Sequence, residues 1–247
     1  MAVKLEFFFD SLSPFSFFAL KVLRRYKDRW GLDLVLCPCL LGGIMASTGN
    51  VPPAARPWSG ATVAEGSQHL ARNKQWFNTP QMLAFPANFF GPKGPSDPSG
   101  LARDFRCMRL LTAIKLRHPA VLEAAADLAA ELIWARPEAR DGSGNVRISD
   151  EVLAELCRAA GLSEAEASAC VAAIGSDAIK SELKRTVGEC VEAGGFGVPF
   201  FRITNHGQAD QPETIIAFGS DRFEQLAFAM KKPWLGPDPD APWQAKL

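Results

Sequence analysis

Residues 4 to 36 admit few folds. Lys4 to Phe9 is an apolar, aromatic-rich run of strand length, and it breaks at Asp10 into Ser11-Leu12-Ser13-Pro14. From Phe15 to Tyr26 the apolar residues return at helical spacing, with Phe18, Val22 and Tyr26 on one stripe and Phe15 and Leu23 beside it. Ser13 stands where a helix N-cap belongs, and Pro14 takes the first helical position, where its missing N–H costs nothing. Gly31 stops the helix, and Leu32 to Leu36 is a second strand. The opening is therefore βαβ, with two parallel strands joined by a crossing helix. Such a turn gathers unpaired N–H groups and the positive end of a helix dipole beside the Ser13 hydroxyl. It is a place to hold an anion.

The rest of the chain changes character twice. Residues 42 to 60 are rich in Gly and Pro and read as loop, as does Gly91 to Gly100. Gln68 to Asn78 has the length of a short helix. A run of helices follows: Leu101 to Arg117, Val121 to Ala135, and Asp150 to Ala160 before Gly161. Another opens at Ser163, where Glu166 three residues on completes a capping box, and the last long one spans Asp177 to Ala193. Pro199 to Thr204 and Thr214 to Phe218 then read as two strands paired antiparallel across a polar loop. Asp221 to Met230 is a final helix with Asp221 in its first turn, and the Pro-rich tail from Pro233 is expected on the surface. The order βαβ, helical block, ββα makes an α/β fold interrupted by an all-helical insertion.

Composition narrows the function classes. Lys+Arg and Asp+Glu balance at 27 each, which leaves no basic face for nucleic acid and no excess charge for a membrane surface. His69, His118 and His206 match no metal-ligand spacing, so no metal is expected. No stretch reaches the roughly 18 consecutive apolar residues of a membrane span. The first residues lack the basic start and apolar run of a signal peptide, so the expectation is an intracellular, soluble protein. The cysteines agree. Cys37-Pro38-Cys39 has one residue too few for a redox helix and reads as two ordinary strand-end residues, while Cys107, Cys157, Cys170 and Cys190 fall singly within helical patterns.

The strand order, the Ser-bearing turn and the later Gly197-Val198-Pro199 together resemble the thioredoxin fold, in which a Pro before the third strand is typically cis and faces the first helix. Ser13-Pro14-Phe15-Ser16 stands where a DsbA-type oxidase carries Cys-Pro-x-Cys, and it has no sulfur. Asp10 to Ser16, Gly43-Ile-Met with Ser47 to Pro53, Gly195 to Pro199 and Phe218 to Arg222 closely resemble the kappa-class glutathione transferases and their relatives, the 2-hydroxychromene-2-carboxylate isomerases. The resemblance implies a discontinuous thioredoxin-like domain at 1–60 and 180–247 with a helical insertion domain at 61–179. It follows the family less clearly from Arg56 to Gly100 and at 205 to 213.

No His or carboxylate motif beside Ser13 suggests a base that would make it a nucleophile, and no Gly-x-Ser-x-Gly elbow is present. A Ser at a helix N-terminus can instead donate its O–H to a bound thiolate. The resemblance implies that Ser13 plays this catalytic part toward glutathione, with Pro14 and Phe15 lining the site through their backbone. It also implies that Asn50 contacts glutathione, that Val198 offers its backbone to the cysteinyl unit ahead of Pro199, and that Ser220 and Asp221 hold the γ-glutamyl end. Ser16 reads as local structure. Met45, Trp58, Phe89 and Phe90 could wall a pocket for an apolar electrophile or belong to the core. The expected activity is conjugation of glutathione to such electrophiles, with peroxide reduction beside it. A glutathione-dependent isomerase and a glutathione- or peptide-binding module without turnover are the alternatives. The family implies a homodimer. Ala245-Lys246-Leu247 resembles a peroxisomal address read by an import receptor, with cytoplasm or mitochondrion the alternative compartments.

Overall fold

A computed structural model of the chain describes residues 2–51, 63–94 and 97–241. β1 (Val3–Phe9) and β2 (Leu32–Pro38) run parallel and are joined by α1 (Pro14–Trp30), as the opening pattern requires. β3 (Phe200–Thr204) pairs antiparallel with β1, and β4 (Ile215–Phe218) antiparallel with β3, so the sheet order is β2-β1-β3-β4. β1 is an inner strand covered on both faces, which is why its sequence is apolar except at Lys4 and Glu6. Glu6 stands opposite Arg202 in the register, and the two close a forked pair at 2.5 and 3.0 Å. The Arg202 guanidinium holds the Glu6 carboxyl below its ordinary range.

Alternation along β1 sorts two cores. Val3, Leu5, Phe7 and Phe9 face one side with Phe201 and Ile203, against α1 and α9 (Phe223–Met230). Phe7 stacks on Phe201 at 5.5 Å, and Phe201 meets Phe223 edge-on at 5.3 Å. Phe8 and Phe200 face the other side, with Ile44 of α2 (Leu41–Thr48) and with Val187 and Cys190 of α8 (Asp177–Glu192). In chain order, between α2 and α8, come α3 (Val63–Trp76), α4 (Arg106–Arg117), α5 (Leu122–Trp134), α6 (Asp150–Ala159) and α7 (Glu164–Ala173). The capping box at Ser163 and Glu166 is formed.

Three expectations are corrected. Of residues 42 to 60, read as loop because they are rich in Gly and Pro, 42 to 48 belong to α2. Tertiary contacts outweigh the glycines: the Asp10 carboxylate takes the Leu41 N–H at 2.9 Å, and Ile44 is buried. The helix expected from Leu101 breaks into a single 3-10 turn at Leu101–Arg103 and then α4, because the Asp104 carboxylate takes the Arg106 N–H and ends the first turn. The tail does not simply lie on the surface. Its free carbonyls accept from Trp30 Nε1 (at Pro233, 2.8 Å), the Tyr26 hydroxyl (at Gly236, 2.7 Å) and Arg25 (at Pro237, 3.0 Å), and Trp234 stacks on Tyr26. Trp58 and Ala245-Lys246-Leu247 lie outside the described residues.

The helical layer is fastened to α1 by charge. Lys21 reaches Asp127 at 2.6 Å and Glu131 at 2.7 Å, Lys27 reaches Glu123 at 2.8 Å, and Arg24 also closes on Asp127. Asp127 is buried and serves two cations, each of which keeps a second carboxylate when it is removed, Lys21 that of Glu131 and Arg24 that of Glu123. Asp127→Ala is expected to lose on the order of 1–3 kcal/mol in urea unfolding, below what stranding a buried charge costs. A loss below about 0.5 kcal/mol would place these pairs with ordinary surface salt bridges.

Candidate active site

The turn between β1 and α1 sits at the end of the sheet where β1, β2 and β4 finish and β3 begins. Ser13 has extended dihedrals (φ −88°, ψ 117°), and its Oγ accepts from the Ser16 N–H at 3.2 Å, so the expected cap is formed with Pro14 behind it. A hydroxyl used only as acceptor keeps its proton for another partner. Among the described residues nothing takes that proton, and nothing takes the Phe15 N–H at the second helical position. Ser13 and Ser16 are each 2% exposed, and the Ser16 hydroxyl has no hydrogen-bond partner among the described residues.

Asp10 organises this turn. Its carbonyl accepts from Ser13 N at 2.9 Å, and its carboxylate oxygens accept from Leu12 N at 3.0 Å and Leu41 N at 2.9 Å. Burial pushes the Asp10 carboxyl up to about 6, and the two N–H donors pull it back only in part. Ser11 is held from the helical layer: its N–H and hydroxyl both meet Met108 Sδ at 3.3 Å, and its carbonyl accepts from Trp134 Nε1 at 2.8 Å. Phe89 and Phe85 pack against Trp134, and Phe89 is core. Phe90 meets Phe89 edge-on, and Met45 is half-buried on α2.

The β1–β3 register carries Val198-Pro199 to the same end. Phe8 pairs with Phe200, so the residues before Phe200 run beside the residues that follow Phe8. The Val198-Pro199 bond is cis. Asn50 follows the Gly49 cap of α2 and donates its Nδ2–H to the Phe196 carbonyl at 2.6 Å, pinning this loop. A Cβ on Gly197 would stand 2.9 Å from the Phe218 ring, so this close approach needs glycine. From β4, Gly219 N donates to the Pro199 carbonyl at 3.0 Å, which brings Ser220 and Asp221 alongside. The structure thus gathers the four stretches carrying Ser13, Asn50, Val198 and Ser220 at one end of the sheet.

Asp221 is not in the first turn of the last helix. α9 begins at Phe223 with Arg222 as N-cap, because Gly219 (φ +105°) reverses the chain and residues 220 to 222 complete that turn before helical dihedrals start. The Asp221 carboxylate is largely exposed and lies 3.8 Å from Arg222, while Ser220 is buried.

The sequence missed Met108, Trp134 and His69. The His69 ring lies 5.9 Å from that of Phe15, and nothing local marks any of these residues as neighbours of the turn. The cysteines offer no competing chemistry. Cys37 and Cys39 are buried; desolvation pushes the Cys37 thiol up to about 11 and the Cys39 thiol well above its ordinary value. Neither is a thiolate near neutral pH. Among the described residues no group of His, Cys, Asp and Glu is placed to hold a metal ion, and no helix is long and apolar enough to cross a membrane.

A family model described as a DSBA-like thioredoxin domain matches residues 4–231. Glutathione S-transferase kappa 1 of Rattus norvegicus is 35% identical over 238 residues, covering 95% of this chain and 94% of that protein. Glutathione S-transferase kappa 1 of Homo sapiens is 32% identical over 239 residues, covering 96% and 94%. A solved 2-hydroxychromene-2-carboxylate isomerase superposes with a TM-score of 0.66 at 21% identity, covering 92% of this chain and 94% of that one, a likeness of fold.

The Asp10 carboxyl gives stability a pH dependence of known sign. Its folded value, about 6, lies above its unfolded value near 3.8, so the folded chain holds a proton that the unfolded chain releases. Its contribution is full below about pH 4 and is lost as pH rises through about 6, on the order of 2–3 kcal/mol. Urea unfolding from pH 4 to 8 is expected to show this decline in wild type and a flatter profile in Asp10→Asn. Parallel profiles would show that Asp10 does not titrate there.

Proposed function

This chain belongs to the kappa-class glutathione transferases of the DsbA-like thioredoxin-domain family, and on that premise we propose that Ser13 activates glutathione by donating a hydrogen bond to its thiolate. The observation that carries this reading is the cap geometry. The Ser13 oxygen is occupied by the Ser16 N–H, which leaves the hydroxyl proton to donate at the head of a 17-residue helix.

The magnitudes suffice. A free thiol has a pKa of about 8.5, and lowering it to ~6.5 takes about 2.7 kcal/mol. A hydrogen bond to a charged group supplies roughly 1.5–3 kcal/mol, and a helix N-terminus adds about 0.3–1, rising to ~2 where partly buried. Burial of Ser13 favours the upper ends. With no sulfur at 13 or 16, disulfide exchange through this motif is closed.

Around that donor, Val198 offers the cysteinyl backbone a short strand-like pairing ahead of Pro199. Pro14 and Phe15 lend their backbone, with the free Phe15 N–H aimed at negative charge. Asn50 sets the distance between α2 and the 195–199 loop as well as lining it. Ser220 and Asp221 take the γ-glutamyl end as a turn rather than a helix start, with the exposed Asp221 carboxylate facing the ammonium group.

The bound thiolate then attacks an electrophilic carbon of an apolar substrate. The new C–S bond forms as the leaving group departs with its electron pair, and the thiol proton passes to solvent. With a peroxide the same thiolate attacks oxygen; the O–O bond breaks, an alcohol leaves, and a second glutathione reduces the sulfenate.

The test is an ultraviolet pH titration of glutathione bound to wild type and to Ser13→Ala, reading thiolate absorbance. Wild type is expected to form thiolate well below pH 8. The variant's thiol pKa should rise by about 1–2 units, and its kcat/KM for conjugation should fall about 10–100-fold. If bound glutathione titrates as it does free, the protein binds without activating. Conjugation assays that return all the glutathione as free thiol would indicate an isomerase.

A further inference from the structure

A concavity of about 830 Å³ is lined by none of the residues gathered around Ser13. One wall is the 98–106 segment with the start of α4; the other is residues 145–149. Four arginines line it, Arg103, Arg106, Arg109 and Arg147, with Asp104 the single acidic residue among its lining residues. Asp104 is spent on Arg106, taking its Nε at 3.2 Å and its Nη2 at 2.8 Å. Arg147 reaches only Asp141, at 3.8 Å, and is 83% exposed. The guanidinium groups of Arg103 and Arg109 have no carboxylate within 4.0 Å and no hydrogen-bond partner among the described residues.

This concentration of charge is local. The chain as a whole carries equal numbers of acidic and basic residues, so its net charge adds no general attraction for a nucleic acid or an acidic protein surface. The volume is that of a small-molecule site. Like charges in a concavity repel one another until an anion enters, and planar guanidinium forks match the oxygens of a phosphate two at a time. Two unspent forks and a third on the opposite wall suit a group with several charged oxygens better than a lone carboxylate. The half-buried ring of Phe105 adds an apolar surface beside them.

We propose that this cleft binds a small molecule bearing a phosphate or diphosphate group, held by Arg103 and Arg109 from one wall and Arg147 from the other, at a site separate from that of glutathione.

Calorimetric titration of the full chain with inorganic pyrophosphate at low ionic strength, with glutathione saturating, tests the assignment. One saturable site is expected, weakened at least tenfold in the Arg103→Gln/Arg109→Gln double variant. That variant should keep wild-type glutathione binding, which shows that it is folded. Asp104→Asn, which releases Arg106, should bind pyrophosphate several-fold more tightly. The proposal is overturned by any of four results: no saturable heat at millimolar pyrophosphate, equal affinity in the double variant, loss of binding when glutathione is present, or equal or weaker binding in Asp104→Asn. Citrate titrated in parallel separates the two oxyanion classes. Tighter binding of citrate than of pyrophosphate would make this a carboxylate site and overturn the phosphate assignment.

Discussion

The Asp10 carboxylate holds the turn on which the rest of the molecule converges. Asp10 has three acceptors, its backbone carbonyl and two carboxylate oxygens, and each closes a different piece of backbone. Its carbonyl fixes Ser13, one carboxylate oxygen fixes Leu12, and the other fixes the first N–H of α2. That last bond ties the turn before α1 to α2, which ends two residues short of Asn50. Burial opposes ionisation here, while two backbone donors favour it, and the result is a carboxyl pushed up to about 6. An ionisable group kept in so dry a place is explained by the three orphan backbone groups it satisfies, two through its side chain.

From this turn the division of labour between the layers follows. The sheet brings three chain segments to one end by register alone, because β1 ends where β3 begins and Gly219 of the β4 turn bonds back to Pro199. The helical layer approaches the same turn from the opposite side. Met108 of α4 and Trp134 of α5 both hold Ser11, and the ion pairs of Lys21 and Lys27 keep α5 against α1. Ser11 is thus held from the helical layer, and the Asp10 carbonyl and the Ser16 N–H hold Ser13 in its cap geometry before any ligand arrives. Such preorganisation is what a hydrogen-bond donor to a thiolate requires.

Much of this was legible in the chain. The cap at Ser13 and Pro14, the Gly31 stop, the capping box at Ser163 and the pairing of the last two strands follow from short-range chemistry, and each forms as expected. Where local reading failed, a distant group intervened. Gly42 and Gly43 looked like loop because nothing nearby announced that a carboxylate 31 residues upstream in the sequence would cap the segment. Asp221 looked like a first-turn residue because the positive φ of Gly219 cannot be told from an ordinary glycine stop. The tail looked loose because its carbonyl partners, Trp30, Tyr26 and Arg25, lie on α1.

The sequence by itself determined the strands, the helix that follows them and the absence of sulfur at 13 and 16. These are matters of periodicity, capping and side-chain identity, which act within a few residues. Only the tertiary structure decided that Asp10 would be buried beneath α2, that Met108 and Trp134 would grip Ser11, and that Arg103, Arg106, Arg109 and Arg147 would face one cleft. The physical reason is range. Burial, desolvation and charge crowding depend on which segments meet, and residues 10, 41, 108 and 134 meet only when the sheet and the helical layer close on the same turn.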